Sequence, residues 1–194
     1  MRPSLRLDAT FKTAYVYGFG LVELLVVLAI VAILAVAAVP SLMSLVSAVQ
    51  LRVTADTLVQ GLAMARSEAI KRNTRVVICK SRSGRVCETA GGWEAGWLIF
   101  QDSDNDGQLG SDEFVIHRQG GFVEGWMFSA NSPVANYVSY TPLGTSRYTS
   151  GGFQAGTFTV CQKSPETSVA QDIVLSNTGR ARVAKRDISR CPEI

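Results

Sequence analysis

Residues 19–39 read FGLVELLVVLAIVAILAVAAV, 21 residues with a single charge at Glu23. No other feature of this chain limits its fold as much. A run of that length crosses about 30 Å of hydrocarbon as an α-helix, whose backbone satisfies its own hydrogen bonds within one segment. Ahead of it, residues 1–18 carry Arg2, Arg6 and Lys12 and end at Gly18. Positive charge on this side predicts that the leader stays in the cytoplasm while the remainder is exported. A secretory signal would be cut behind its apolar stretch, at a small-residue site. Here the sharpest boundary precedes that stretch, at Gly18–Phe19.

Glu23 needs its own explanation. A carboxylate near the centre of a membrane helix costs roughly 2.5–3.5 kcal/mol, and less near an end, so it normally has a partner or a task. Cleavage at Gly18–Phe19 would leave the α-amino group of Phe19 one helical turn from Glu23, and the amine of a neighbouring copy could neutralise it. A plain signal anchor with Glu23 at the interface leaves Gly18 unexplained. Gly18-Phe19, Glu23 as the fifth residue after the cut and Pro40 as the twenty-second closely resemble the class III signal of type IV pilins and type II secretion pseudopilins. The resemblance implies cleavage after Gly18 by a prepilin peptidase in the inner membrane and methylation of the Phe19 amine. It also implies assembly, through Glu23, with major and minor pilins in a helical filament. Gly20 stands where Thr or Ser is common in that signal. The pattern defines a superfamily and not a task.

Pro40 lacks a backbone donor and clashes with the carbonyl of Val36, so a kink or local melting is expected there. Beyond it Leu51, Ala55, Leu58, Leu62, Ala65 and Ala69 recur at spacings of four and three, an apolar stripe on one helix face. One helix is predicted from about Phe19 to about Arg72, broken at Asn73 and Thr74. From Arg75 onward RVVIC, GWLIF, EFVIHR, GWMF, NYVSY, GTFTVC and DIVLS are short β-type runs separated by Gly, Asn, Pro and Asp clusters. The predicted fold class is α+β, with an antiparallel head of seven or eight strands packed on the helix stripe. This order, with WEAGW and an Asp-rich loop, looks like the GspH/FimT subgroup of minor pilins and pseudopilins. The chain then divides into a cleaved leader (1–18), a transmembrane and filament-core helix (19–40), its amphipathic continuation (41–74) and a β-rich head (75–194).

Four cysteines behind an export-like N-terminus favour disulfides over metal thiolates. Cys79 and Cys87 flank the polar loop KSRSGRV, which suits a hairpin-closing bond, leaving Cys161 to Cys191. Four cysteines allow three connectivities, so the other pairings stay open.

DSDNDGQLGSDE, residues 102–113, matches Asp-x-Asp-x-Asp-Gly-x5-Glu through Asp102, Asp104, Asp106, Gly107 and Glu113. That spacing wraps oxygens round one calcium ion, and Gly107 permits the tight turn. The flanks read as strands and not as the helices of a calcium-binding hand. A solvated acidic hairpin is therefore the competing reading, and such hairpins are common in the resembled subgroup.

No other cofactor and no enzyme activity are expected. The one histidine, His117, lies in a strand-like run, and the sequence has no nucleophile elbow, phosphate loop or zinc-spaced cluster. Charge is unevenly spread. Arg52–Arg85 holds eight basic residues against Asp56 and Glu68, and Val86–Gly120 holds seven acidic residues against Arg118. The densest positive stretch is the tail, where Arg180, Arg182, Lys185, Arg186 and Arg190 face only Asp187.

Asn177-Thr178-Gly179 reads as a turn in which Gly179 can supply a positive φ. Extended chain after it places 180, 182, 184 and 186 on one face, about 7 Å between neighbours, close to the spacing of successive phosphates on a DNA strand. Ala181 and Val183 would face the body. Arginine grips phosphate oxygens with two parallel N–H donors, and the tail has few residues suited to reading bases. Gly179-Arg180-Ala181-Arg182 also resembles the C-terminal Gly-Arg-x-Arg motif of FimT-type minor pilins. That resemblance implies binding of double-stranded DNA during natural transformation, with Arg180 and Arg182 as primary contacts. Lys185, Arg186 and Arg190 are added from charge alone. The second reading is a structural minor pilin or pseudopilin that primes filament assembly without touching DNA. Either way the protein is expected as a single-pass inner-membrane protein with a periplasmic head, extracellular once in a pilus.

Overall fold

The computed structural model describes residues 20–163 and 169–192, with the side chains of 37–41 left aside. The expected leader 1–18, its Gly18 and the adjoining Phe19 lie outside the described residues. Helix α1 spans Leu21–Arg72, 52 residues, and stays helical through Pro40. Local melting at Pro40 is therefore not what happens; the helix on either side absorbs the one missing donor. Leu21–Val36 is apolar and exposed along its length, with Glu23 in the first turn. Such a surface fits a single-pass membrane anchor. By composition Leu42–Arg72 is apolar enough for the same role. Its apolar stripe is already buried under protein, so the anchor is assigned to the upstream segment.

Val46–Ile194 forms one compact unit. The stripe read from the sequence is the part of α1 that this unit buries: Leu51 is 7% exposed, and Ala55, Leu58, Leu62, Ala65 and Ala69 are at 0–1%. The helix stops where Asn73 turns left-handed (φ 49°) and the Thr74 N–H donates back to the Ala69 carbonyl at 3.2 Å.

Eight strands follow among the described residues: β1 (Val76–Lys80), β2 (Gly96–Gln101), β3 (Val115–Gly120), β4 (Trp126–Ala130), β5 (Tyr137–Tyr140), β6 (Gly156–Gln162), β7 (Val169–Leu175) and β8 (Ala181–Asp187). They form two four-stranded antiparallel sheets, ordered β3-β2-β1-β5 and β4-β6-β7-β8. Alternation decides which side chains meet the helix. Val76, Ile78, Trp97 and Ile99 from the first sheet and Phe158, Val160, Ile173 and Leu175 from the second join its stripe in one core. The opposite set on the first sheet, Val77, Cys79, Leu98 and Phe100, is buried under Leu109, Val115 and Tyr137. Burial on both faces is why RVVIC and GWLIF are continuous apolar runs.

Both tryptophans of WEAGW are core residues. Trp93 donates its ring N–H to the Val134 carbonyl at 3.2 Å and stands edge-on to Phe158, with ring centroids 5.3 Å apart. Trp97 lies against the helix at Gly61, where an added Cβ would come 2.9 Å from the indole nitrogen. His117 sits in β3, half-buried.

Candidate nucleic-acid interface and acidic loop

The basic tail is the edge strand β8, joined to β7 by a tight turn. The Gly179 N–H donates to the Ser176 carbonyl (2.9 Å), the Ser176 N–H to the Arg180 carbonyl (2.9 Å), and the Arg180 N–H to Ser176 Oγ (3.3 Å). Gly179 has φ +76°, and a Cβ there would lie 2.1 Å from the Gly144 carbonyl oxygen. Two separate constraints thus require glycine at this position. Gly144 O also accepts a hydrogen bond from Arg66 Nε at 2.9 Å, so the turn, the loop after β5 and α1 meet at one carbonyl. Beside this junction a cleft of about 440 Å³ opens between the helix side chains Val59, Leu62, Arg66 and Ile70 and the turn residues Arg180 and Ala181.

The register of β8 on β7, Leu175↔Ala181 through Val169↔Asp187, places Arg182, Ala184 and Arg186 on the same sheet face as Asp172. Arg180 and Arg182 are exposed, and neither has an ion pair or hydrogen-bonded side-chain partner among the described residues. Arg186 is engaged: its Nε reaches Asp172 Oδ2 at 2.5 Å and its Nη2 reaches Asp172 Oδ1 and Thr159 Oγ1 at 3.2 Å each. That bond to Asp172 holds the Arg186 guanidinium above its ordinary pKa. Lys185 is exposed on the opposite face of the strand, and Arg190 lies beyond it, next to Cys191. The five basic residues therefore do not form one row: Arg182 and Arg186 share a face, Lys185 lies on the other, and Arg180 precedes the strand. Ala181 packs on the core as expected, but Val183 is 39% exposed because an edge strand has a neighbour on one side.

Cys161 is bonded to Cys191 and Cys79 to Cys87, with Cα separations of 6.0 and 5.6 Å. The first bond ties the end of the tail to β6, where Ala170, Met127 and Ile188 gather round it. Cations at and just after the end of α1 are also engaged. Lys71 and Arg72 pair with Glu68, and Arg75 donates to Ser139 Oγ at 2.8 Å.

The acidic loop joins β2 to β3. Asp102 is 1% exposed, and its two carboxylate oxygens have no hydrogen-bond partner. Burial first, then the charge of Glu113, pushes its carboxyl up to about 6; the Asn105 backbone N–H, close to it without forming a full hydrogen bond, opposes this, and Asp104 and Asp106 add to it. Asp104 accepts from the Asp106 N–H at 3.2 Å and Asp106 from the Gln108 N–H at 2.6 Å. Glu113 accepts from the N–H groups of Ser103 (2.7 Å) and Gly110 (3.0 Å), closing the loop on itself.

A long helix whose first part is apolar with a lone glutamate, and whose later stripe is buried under antiparallel sheets, defines a pilin-type subunit. A family model described as Type II transport protein GspH matches residues 54–179, and one described as a prokaryotic N-terminal methylation motif matches residues 14–39. The chain belongs to the GspH family of minor pilins and pseudopilins. Among solved structures it is similar to the type IV minor pilin FimU of Pseudomonas aeruginosa strain PAO1. One crystal form gives 21% identity and a TM-score of 0.54 over 74% of this chain and 96% of that one. A second crystal form gives 21% identity and 0.52 over 73% and 100%. The minor pseudopilin EpsH from the type 2 secretion system of Vibrio cholerae gives 14% and 0.46 over 69% and 95%. The likeness to FimU shows the fold. No curated protein matches the chain. The GspH match ends at Gly179, so Arg180 and all of β8 with Arg182 lie outside the matched residues.

Sequence reasoning missed the Arg186–Asp172 pair and the Arg66–Gly144 junction. The first had a signal in the opposite charges of DIVLS and the tail, but it becomes visible only once β7 and β8 are placed in register. The second joins residues 78 apart and has no local signal.

Proposed function

We propose that this minor pilin binds double-stranded DNA through the β7–β8 hairpin, without regard to sequence, and serves DNA uptake in natural transformation. The observation that carries the reading is the pair of exposed guanidiniums of Arg180 and Arg182, which have no ion-pair partner among the described residues, just after a turn that requires Gly179. Arg66, on the wall of the adjoining cleft, adds positive charge beside Arg180. Lys185, Arg186 and Arg190 contribute a general field, and Arg186 less than the others because Asp172 already offsets it. Phosphate contacts of this kind position DNA without reading its bases. Cleavage after Gly18, methylation of Phe19 and pairing of Glu23 with a neighbour's amine would carry the subunit from the inner membrane into a filament of major and minor pilins. The head is then periplasmic before assembly and extracellular on a pilus.

A second reading has its own support. The match to a family described by type II transport covers the last part of α1 and strands β1 to β7 yet stops before the arginines. On that reading the protein is a structural subunit that primes assembly. Fluorescence anisotropy of two unrelated labelled duplexes, titrated with the chain in non-ionic detergent, separates the two. DNA binding by the hairpin requires similar affinity for both duplexes and a loss of tenfold or more in Arg180→Gln/Arg182→Gln. Equal, weak binding by wild type and variant leaves the structural reading.

A further inference from the structure

We propose that the loop between β2 and β3 is a calcium site built round the buried carboxylate of Asp102, with Asp104 and Asp106 as further ligands. An acidic loop alone would not support this, since exposed carboxylates are content in water. Asp102 is not exposed: it is 1% accessible, and both of its oxygens lack a hydrogen-bond partner. A carboxylate taken out of water without hydrogen bonds is strongly disfavoured, and a divalent cation is the partner that removes the penalty. Its neighbours are placed to share such an ion. One carboxylate oxygen from each of Asp102, Asp104 and Asp106 lies within 4.8 Å of the other two. Oxygens bound to one calcium at 2.3–2.6 Å can be at most about 5 Å apart.

The scaffold round these three groups is firm. Asp102 directly follows β2, and its N–H donates to the Arg75 carbonyl at 3.0 Å. Asn105 and Gly107 are left-handed (φ 65° and 76°), which folds the loop back on itself. The Asn105 side chain donates to the Thr149 carbonyl at 3.0 Å, and Leu109 packs beneath the first sheet. Glu113, the expected fourth carboxylate, is a backbone acceptor for Ser103 and Gly110, so it holds the loop shut. The remaining oxygens of a six- to eight-fold shell come from loop carbonyls and water. Calcium tolerates that mixture, whereas magnesium demands a near-ideal octahedron at 2.0–2.1 Å.

The test is calcium and magnesium titration of the full chain in non-ionic detergent, by calorimetry and by thermal unfolding read from tryptophan fluorescence. Expected are one calcium per chain, a dissociation constant of about 10⁻⁴–10⁻³ M, and magnesium at least about tenfold weaker. At ten times the dissociation constant the unfolding temperature should rise by roughly 3–6 °C. Asp102→Asn should lose both responses, yet in chelator unfold at or above the wild-type temperature, because a neutral amide is cheaper to bury. Asp106→Asn, at an exposed position, should weaken calcium about tenfold with the fold intact. Absence of calcium heat at 10 mM (about ten times the weakest expected constant) overturns the proposal. So does unchanged calcium binding in Asp102→Asn or Asp106→Asn, and magnesium binding equal to calcium's overturns the choice of ion.

Discussion

Replacing Gly179 with alanine tests how the hairpin is held. A Cβ at φ +76° is strained by about 1–2 kcal/mol before it meets any neighbour. The same atom would stand 2.1 Å from the Gly144 carbonyl oxygen and 3.1 Å from the Tyr140 ring. Gly144 cannot easily retreat, since its own N–H bonds to the Thr141 carbonyl at 2.8 Å and its oxygen holds Arg66. Overpacking adds about 1–3 kcal/mol and breaking the Arg66 bond about 1 kcal/mol, so with the strain the expected total is about 3–6 kcal/mol. For a chain of this size that lowers the melting temperature by roughly 6–24 °C. The readout is fluorescence of the buried Trp93 and Trp97 on heating. Gly151→Ala is the control, because Gly151 is also left-handed (φ +90°) but has nothing within 4 Å of an added Cβ. It should cost the strain alone. Equal losses in the two variants would refute the claim that the clash with Gly144, and not conformation alone, reserves position 179 for glycine.

Arg186→Gln removes an ion pair whose arginine is half exposed, so urea unfolding should register a loss of about 0.2–1 kcal/mol. It should weaken DNA binding less than Arg182→Gln does, by anisotropy. The Cys161→Ser/Cys191→Ser pair opens a 30-residue loop and should lower stability by about 3–4 kcal/mol in denaturant unfolding under oxidising conditions. Glu68 is held below its ordinary value, first by its bond from Arg72 and also by Lys71. Its contribution is therefore present at neutral pH and lost as pH falls below about 4.5 through the lowered folded value, so Glu68→Gln should flatten that part of the acid limb of a stability–pH curve.

The helix was legible because its signals are local and periodic. Leu51 through Ala69 repeat at helical spacing, and the residues so marked are the ones that the head buries. Seven strands were legible as apolar or alternating runs. The eighth was legible only as extended chain after the Asn-Thr-Gly turn, because ARVAKRD has the composition of a solvated tail and becomes a strand by pairing with β7. The division into two sheets was equally hidden: β5 skips back to pair with β1, and β4 pairs with β6, long-range choices that alternation does not encode. At the site, the turn at Gly179 could be read from Asn-Thr-Gly. The engagement of Arg186 by Asp172 could not, since it depends on the register of β8 on β7. The acidic loop shows the same limit in reverse. Its motif spacing was plain, but nothing in DSDNDG says that Asp102 is buried while Asp104 and Asp106 are exposed.

The account rests on Arg180 and Arg182 acting as phosphate grips, and the salt dependence of DNA affinity tests this most directly. On duplex DNA the slope of log affinity against log salt falls by about 0.9 for each neutralised phosphate that a substitution sets free. Measured by anisotropy from 50 to about 200 mM salt, Arg180→Gln and Arg182→Gln should each flatten the slope by about one unit and the double variant by about two. Arg186→Gln should change it less. A wild-type slope near zero, or one unaltered by the double substitution, would contradict the account and leave β8 as the closing edge of a structural pilin head.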